Sequence, residues 1–212
     1  MNAEQFLLAL GKAFSQHTEE AMKADGAPAW TRYMHARFLE VAASTNAHLC
    51  AEGLRELPPA ANAAQHISKE YLFDVTVYNR HDWQRSSLPS VIIEHENQWS
   101  ETALLQDFWK VLVGWAPLRV MIGYAANAEA VDKRVRAILA EAKVCDWRYP
   151  QDAEDLVLLR CREGEHGMEW PHWRVLHRCG PGTGAAPWND LGELTLDGTG
   201  LPKSLALATA GD

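Results

Sequence analysis

The stretch that decides the fold is SVIIEHENQWS, which runs from Ser90 to Ser100. Side chains alternate between the two faces of a β-strand, so Ile92, Glu94 and Glu96 are predicted to share one face. The apolar start predicts a strand, and the two glutamates then place two negative charges side by side at its end. Carboxylates that repel each other near a core are costly unless a cation or a shared proton compensates. We therefore interpret this strand end as a candidate site for a divalent metal ion.

A second strand with a carboxylate precedes the first. The segment EYLFDVTVYN, from Glu70 to Asn79, places Leu72, Asp74 and Thr76 on one face when the same two-residue period is applied. Asp74 interrupts an otherwise apolar face. The polar segment RHDWQRSS separates the two strands and predicts a hairpin loop between them. A hairpin would bring this third carboxylate towards the glutamate pair.

Helical periodicity surrounds the two strands. One amphipathic helix is predicted near Ala3 to Ala24 and a second from Pro28 to about Glu52, so that two helices precede the first strand. Ser100 is suited to cap a helix that runs to about Gly114. The apolar run LRVMIGY follows that helix. A strand, a helix and then a buried strand are typical of a right-handed parallel crossover.

The remaining pattern predicts one more helix and a second hairpin. Asn127 is suited to cap the helix, and Leu156 to Cys161 and Trp170 to His177 indicate two strands. Glycine and proline are dense after that point, which predicts irregular structure with a short strand at Leu194 to Leu196. The fold class predicted is α/β: a mixed central β-sheet flanked by helices, with N-terminal helices and a C-terminal β-hairpin.

Length and composition indicate one globular domain. The chain has 212 residues, of which 47% are apolar, and can bury a sizeable core. We expect a single α/β domain over residues 1–180 and an irregular C-terminal extension over 181–212. No apolar run approaches the roughly 20 residues of a membrane span, and MNAEQFLLALGKAF lacks the features of a secretory signal. We therefore expect no membrane association and a cytoplasmic location.

Charge and cysteine content narrow the function classes. The formal net charge of -8 argues against a surface that binds nucleic acid over its whole area, because phosphate binding rests largely on Lys and Arg. A local basic groove stays open, and acidic metal ligands would contribute to the negative sum. The four cysteines include no Cys-x-x-Cys pair, which predicts reduced and mostly buried thiols.

The order of these elements resembles the PD-(D/E)xK nuclease superfamily, which has the restriction-endonuclease-like fold. The resemblance rests on an Asp followed some twenty residues later by an apolar-apolar-Glu strand end, and it covers roughly Trp30 to Tyr124. It implies that Asp74 and Glu94 hold Mg²⁺ or Mn²⁺, which binds the scissile phosphate and activates a water for in-line attack. It also implies a nucleic-acid substrate, DNA more than RNA, and leaves a homodimer open.

The chain departs from the superfamily pattern at the lysine position, where Glu96 stands. The resemblance implies that Glu96 serves as a further metal ligand or as a base that orients the attacking water. Other members recruit a lysine from the following helix, and Lys110 is the candidate here. Members often add a glutamate from the helix before the first core strand, and Glu40 is the best-placed match.

Two other hypotheses account for the same residues. In the first, a catalytically inactive protein of the same fold binds a partner protein or nucleic acid, which the acidic charge and the missing lysine favour. In the second, a small α/β domain carries carboxylates that are merely exposed. Replacing all three carboxylates would leave the stability of the second nearly unchanged, whereas it would stabilise a fold that holds them as a metal-free cluster.

Overall fold

The fold is built from five helices and eight strands in the part of the chain that the structure describes. The computed structural model describes residues 1–24, 26–51, 66–67, 72–79, 88–97, 100–144, 153–161, 172–179 and 187–198. The helices are α1 (Ala3–Gln16), α2 (Thr18–Lys23), α3 (Gly26–Ser44), α4 (Glu101–Val113) and α5 (Ala128–Val144). The strands are β1 (Ala47–Ala51), β2 (His66–Ile67), β3 (Val75–Asn79), β4 (Val91–Glu96), β5 (Leu118–Ala125), β6 (Glu154–Cys161), β7 (His172–Cys179) and β8 (Asn189–Thr195).

The strands form one mixed sheet in the order β2-β1-β3-β4-β5-β6-β7-β8. Strands β4, β5 and β6 are parallel to one another, and α4 and α5 connect them in sequence. Strand β3 runs antiparallel to β4, and β7 runs antiparallel to both β6 and β8. The predicted α/β class, the mixed sheet, the β3–β4 antiparallel pair and the parallel β4–α4–β5 unit are therefore confirmed.

Helices cover both faces of the sheet. Strand β5 shows this in its alternation, because Val120 and Ile122 pack with residues of α1 and α3, whereas Met121 and Ala125 pack with residues of α4 and α5. A strand that is buried on both faces has a nearly continuous apolar sequence, as LRVMIGY does. None of the helices in the described ranges is long and apolar enough to cross a membrane.

The first predicted helix is two helices. The chain breaks at His17, whose φ of -132° and ψ of 29° depart from helical values. The His17 N–H donates to the Phe14 carbonyl, and its ring contacts the carboxylates of Glu20 and Glu40. Apolar periodicity continues across the break, so the single helix predicted from that period was wrong at this point.

The second predicted helix ends earlier than expected, and β1 was missed. The helix ends at Ser44, and Asn46 adopts a φ of 55°, a left-handed conformation that asparagine tolerates better than most residues. Leu49, which the helical period placed on the helix, is instead a fully buried residue of β1 opposite Val77. Pairing of β1 with β3 overrides the local pattern, since long-range hydrogen bonds are invisible to periodicity.

The later elements follow the predicted order. The Ser100 Oγ accepts a hydrogen bond from the Ala103 N–H at 3.3 Å, and the Asn127 Oδ1 accepts one from the Ala130 N–H at 2.8 Å, so both predicted caps are confirmed. The β6–β7 antiparallel pair is also confirmed. Strand β8 begins at Asn189, earlier than the short strand expected inside the extension. The predicted hairpin loop at 80–87 and the connection at 57–64 lie outside the described residues.

Gly114 follows the last residue of α4 and lies against Ile92 and Phe73, and we predict that Gly114→Ala destabilises the protein. A Cβ at this position would collide with Ile92 Cδ1 and stand 2.7 Å from Phe73 Cζ, and both of these side chains are buried. Overpacking of this kind costs about 1–3 kcal/mol, measurable by urea unfolding. Val113→Ala is the matched control, because Val113 is exposed and its loss should stay within about 0.5 kcal/mol. Equal unfolding midpoints for the two variants would contradict this account of the contact.

Candidate active site

Asp74 and Glu94 lie on neighbouring strands at the same level of the sheet. Val75 pairs with Ile93 in the antiparallel register, and one further step places Asp74 opposite Glu94. Asp74 precedes β3 directly, and its Oδ2 accepts a hydrogen bond from the His95 N–H at 2.9 Å. The backbone of β4 therefore holds the aspartate beside the glutamate.

Glu94 is a buried carboxyl with an unusual proton affinity. Its side chain is 1% exposed at the end of β4. Burial raises the pKa of Glu94, and the nearby carboxylates of Asp74 and Asp107 raise it further against the opposing effect of Lys110, to about 8. The charged form of such a carboxyl is stabilised by any cation that approaches it.

Lys110 supplies one such cation from α4. Its Nζ lies 2.7 Å from Glu94 Oε1 and 5.9 Å from the centre of the Phe73 ring. Burial alone would lower the pKa of Lys110, but Glu94, Asp74 and Asp107 outweigh it and raise that pKa. The lysine expected from the following helix is therefore brought to Glu94 as a charged ammonium.

Glu96 and Asp107 form the outer part of the site. Glu96 lies two residues beyond Glu94 and is 9% exposed. Asp107 lies on α4, one turn before Lys110, and its side chain bonds to that of Glu96. Burial raises the pKa of Asp107, and the carboxylates of Glu96 and Asp74 raise it further, to about 6. We call Asp74, Glu94, Glu96, Asp107 and Lys110 the carboxylate–lysine cluster.

Glu40 does not reach this cluster. Its Oε1 lies 2.9 Å from Arg37 Nη2 and 3.2 Å from His17 Nε2, at the junction of α1, α2 and α3. The end of β4 meets α3 near Thr31, whose Oγ1 accepts a hydrogen bond from Asn97 Nδ2 at 2.6 Å. Nine residues of helix separate Thr31 from Glu40, which is roughly 13 Å at about 1.5 Å per residue. The contacts of Glu40 are those of a structural ion pair.

His95 anchors β4 from the opposite face. Its Nε2 lies 2.7 Å from the Tyr124 hydroxyl, and its ring meets the Tyr124 ring edge-on at 5.5 Å between centroids. Burial lowers the pKa of His95, and His35 lowers it further, to about 3, so the imidazole stays neutral. The ring packs while the backbone N–H of the same residue binds Asp74.

The donor set suits a hard divalent cation. Mg²⁺ is commonly bound by one or two carboxylates, several waters and a substrate phosphate, rather than by a complete protein cage. Asp74 and Glu94 offer such a pair. A cation bound there would compensate the negative charge of the buried Glu94 carboxylate, which would favour its binding. In the described ranges no group of three or more His, Cys, Asp or Glu side chains is arranged around one metal position. Asp74, Glu94 and Glu96, the three ligands predicted from the sequence, therefore do not surround one metal position.

No protein-family model, no curated protein and no solved structure matches this chain. The function of the carboxylate–lysine cluster is therefore inferred from its chemistry and its place in the sheet.

The raised pKa of Glu94 predicts that the metal-free protein loses stability as the pH rises. A carboxyl whose pKa increases from 4.5 to about 8 on folding stabilises the protein fully below pH 4.5, and this contribution disappears as the pH passes through 8. Urea unfolding in EDTA at pH 5.5 and pH 8.5 measures the change. We expect a larger fall in stability for the native sequence than for Glu94→Gln, and equal falls would show that Glu94 titrates normally.

Proposed function

We propose that the protein is a metal-dependent phosphodiesterase that hydrolyses nucleic acid, DNA in particular. The observation that carries this proposal is the buried Glu94 carboxyl, which lies opposite Asp74 and in contact with the Lys110 ammonium. Two acidic groups and one basic group of this kind, at the end of a strand and on the helix after it, suit phosphodiester chemistry. The resemblance to the PD-(D/E)xK superfamily supports the same proposal.

Asp74 and Glu94 would hold Mg²⁺ or Mn²⁺. Such an ion, when bound, supplies Lewis-acid activation of the phosphate and lowers the pKa of a water. The His95 N–H keeps the Asp74 carboxylate in place, and the sheet keeps Glu94 from rotating into solvent. Holding both groups rigidly avoids reorganisation when the substrate binds.

Lys110 would stabilise the charge that develops on the phosphate. The raised pKa of Lys110 keeps its ammonium charged at neutral pH, and the centre of the Phe73 ring lies 5.9 Å from Nζ. The ammonium already lies 2.7 Å from Glu94, so it would reach a phosphate oxygen bound at the same carboxylate. Lys110 takes the role of the superfamily lysine from a different element.

Glu96 and Asp107 would accept the proton of the attacking water. The pKa of Asp107 is about 6, which lies close enough to neutral for efficient proton transfer. In the reaction a bond forms between the water oxygen and phosphorus, and the bond from phosphorus to the leaving sugar oxygen breaks. The water proton passes to the carboxyl pair, and the leaving oxygen takes a proton from solvent. The products are a phosphate monoester and an alcohol.

Cleavage of labelled single-stranded and duplex DNA tests the proposal. We expect the native protein to cut in Mg²⁺ or Mn²⁺ and to stop in EDTA, and Asp74→Asn to be inactive while it folds normally. Glu19→Gln is the matched control, because Glu19 is an exposed carboxylate on α2. Metal-independent cleavage, or full activity of Asp74→Asn, would reject the proposal. A native protein that binds DNA or a partner protein without cutting would identify an inactive member of the same fold.

A further inference from the structure

A cavity of about 480 Å³ opens at the carboxyl end of β6, away from the carboxylate–lysine cluster. Cys161 is the last residue of β6, His172 is the first of β7, and Ala128 begins α5, and all three line this cavity. Its size falls in the range of about 300–1,000 Å³ that is usual for small-ligand sites. Nothing in the proposed chemistry uses it.

The cavity and the cluster share one edge and one face of the sheet. Strands β4, β5 and β6 are parallel, so their carboxyl ends lie along the same edge, where ligands of α/β proteins commonly bind. The cluster includes residues of α4, the cavity includes residues of α5, and these two helices pack on the same face. The cavity spans β6, β7 and β8, which lie two to four strand spacings of about 4.8 Å from β4, or roughly 10–19 Å. A nucleotide a few positions from the scissile phosphate would therefore reach the cavity.

The cavity has an apolar wall and a polar rim. Val131 and Leu159 form part of the wall. Asp132 and Glu193 are exposed carboxylates at the rim, and neither forms an ion pair with another described residue. Arg174 also lines the cavity, where Asp190 holds its Nη2 at 2.5 Å. The rim thus offers exposed acceptors beside an arginine donor that Asp190 holds in place.

This rim suits a base better than a phosphate. Two exposed carboxylates repel phosphate groups, so a nucleotide would enter with its base and leave its backbone outside. Guanine presents two adjacent donors, N1–H and the N2 amino group, which one carboxylate accepts together, and it presents O6 and N7 acceptors that arginine recognises. Cytosine and adenine present a single amino group, and thymine and uracil present none. The acceptors and the donor of the rim therefore match guanine.

We infer that this cavity binds a guanine base of the nucleic-acid substrate, a few nucleotides from the phosphate that is cut. The base packs against the exposed edge of Val131, its Watson–Crick donors meet Asp132 or Glu193, and Arg174 donates to its acceptors. Its place within a nucleic acid rests on the proposed function, whereas the recognition of guanine rests on the cavity alone. The result is a base preference at one position a few nucleotides from the cut.

Calorimetric titration with guanosine, adenosine, cytidine and uridine tests the recognition. We expect guanosine to bind the native protein most tightly, and the double variant Asp132→Asn, Glu193→Gln to bind it about tenfold or more weakly. Both residues are exposed, so the variant should fold, which circular dichroism checks. Glu129→Gln, at an exposed position in the first turn of α5, is the matched control. Absence of guanosine binding, equal binding of all four nucleosides, or unchanged binding by the double variant would overturn the inference.

Cleavage mapping separates this inference from the proposed function. A set of DNA strands with a single guanine at successive positions should be cut by the native protein at a fixed distance from that guanine, and the double variant should cut the set without this preference. Guanosine binding in a protein that cuts no DNA would reject the proposed function and support the cavity assignment. Cleavage without guanine preference, together with no guanosine binding, would reject the cavity assignment and leave the proposed function standing.

Discussion

Replacement of Glu94 by glutamine is expected to abolish cleavage and to stabilise the metal-free protein at the same time. Glutamine keeps the shape of the side chain but cannot supply the negative charge that a divalent cation needs. A divalent ion bound here would contribute several kcal/mol to the stability of the transition state, so the cleavage rate should fall by about a thousandfold or more. Above pH 8 the substitution also removes a charge from a side chain that is 1% exposed and lies opposite Asp74.

The gain in stability should be on the order of 1–3 kcal/mol at pH 8.5, since burial of an incompletely compensated charge costs at least that much. Urea unfolding in EDTA measures it, and Glu19→Gln on the surface of α2 should change neither stability nor cleavage. Opposite signs for activity and stability are the expected result for a functional carboxyl. If Glu94→Gln lost activity and stability together, Glu94 would be a structural residue.

The second large effect is expected for Lys110→Met. Methionine retains an unbranched side chain beside Phe73 but lacks the ammonium that lies 2.7 Å from Glu94. The cleavage rate should fall by about a hundredfold to a thousandfold, because the ammonium that offsets the negative charge developing on the phosphate is lost. At pH 9 the stability should also fall, by about 1–3 kcal/mol, since Glu94 is then an unpaired buried charge. Near pH 6, where Glu94 carries a proton, the loss should be smaller.

Single-turnover cleavage rates and unfolding curves at the two pH values measure these effects. Lys133→Met is the matched control. Lys133 lies on the surface of α5, pairs with Glu101 of α4, and has a side chain that is 69% exposed. That control should shift stability by less than about 0.5 kcal/mol. Full cleavage activity in Lys110→Met would contradict the proposed role of Lys110 in stabilising the charge on the phosphate.

The centre of the fold was predictable because its pattern is local. The two-residue period of β4, the Ser100 cap and the apolar run of β5 each follow from neighbouring residues, and the parallel crossover then follows from chain topology. The same order placed Asp74 beside Glu94 and made Lys110 a candidate partner. The first long-range element, β1, was missed because its short sequence continues the apolar stripe of α3.

Asp107 was missed for a related reason. An aspartate on a helix is normally solvated. Only the contact of Lys110 with Glu94 shows which face of α4 is turned towards the cluster, and Asp107 lies on that face. The three-residue spacing between Asp107 and Lys110 was the available signal. The ion pairs of Glu40 with Arg37 and His17 depend on the break at His17, which the pattern did not reveal.

The central claim is that Asp74 and Glu94 together hold a divalent cation. The most direct test is a crystal soaked in Mn²⁺, with diffraction recorded where manganese scatters anomalously. We expect an anomalous peak between the two carboxylates, and its loss in crystals of Glu94→Gln. An anomalous map with no peak between Asp74 and Glu94 at millimolar Mn²⁺ would contradict the claim.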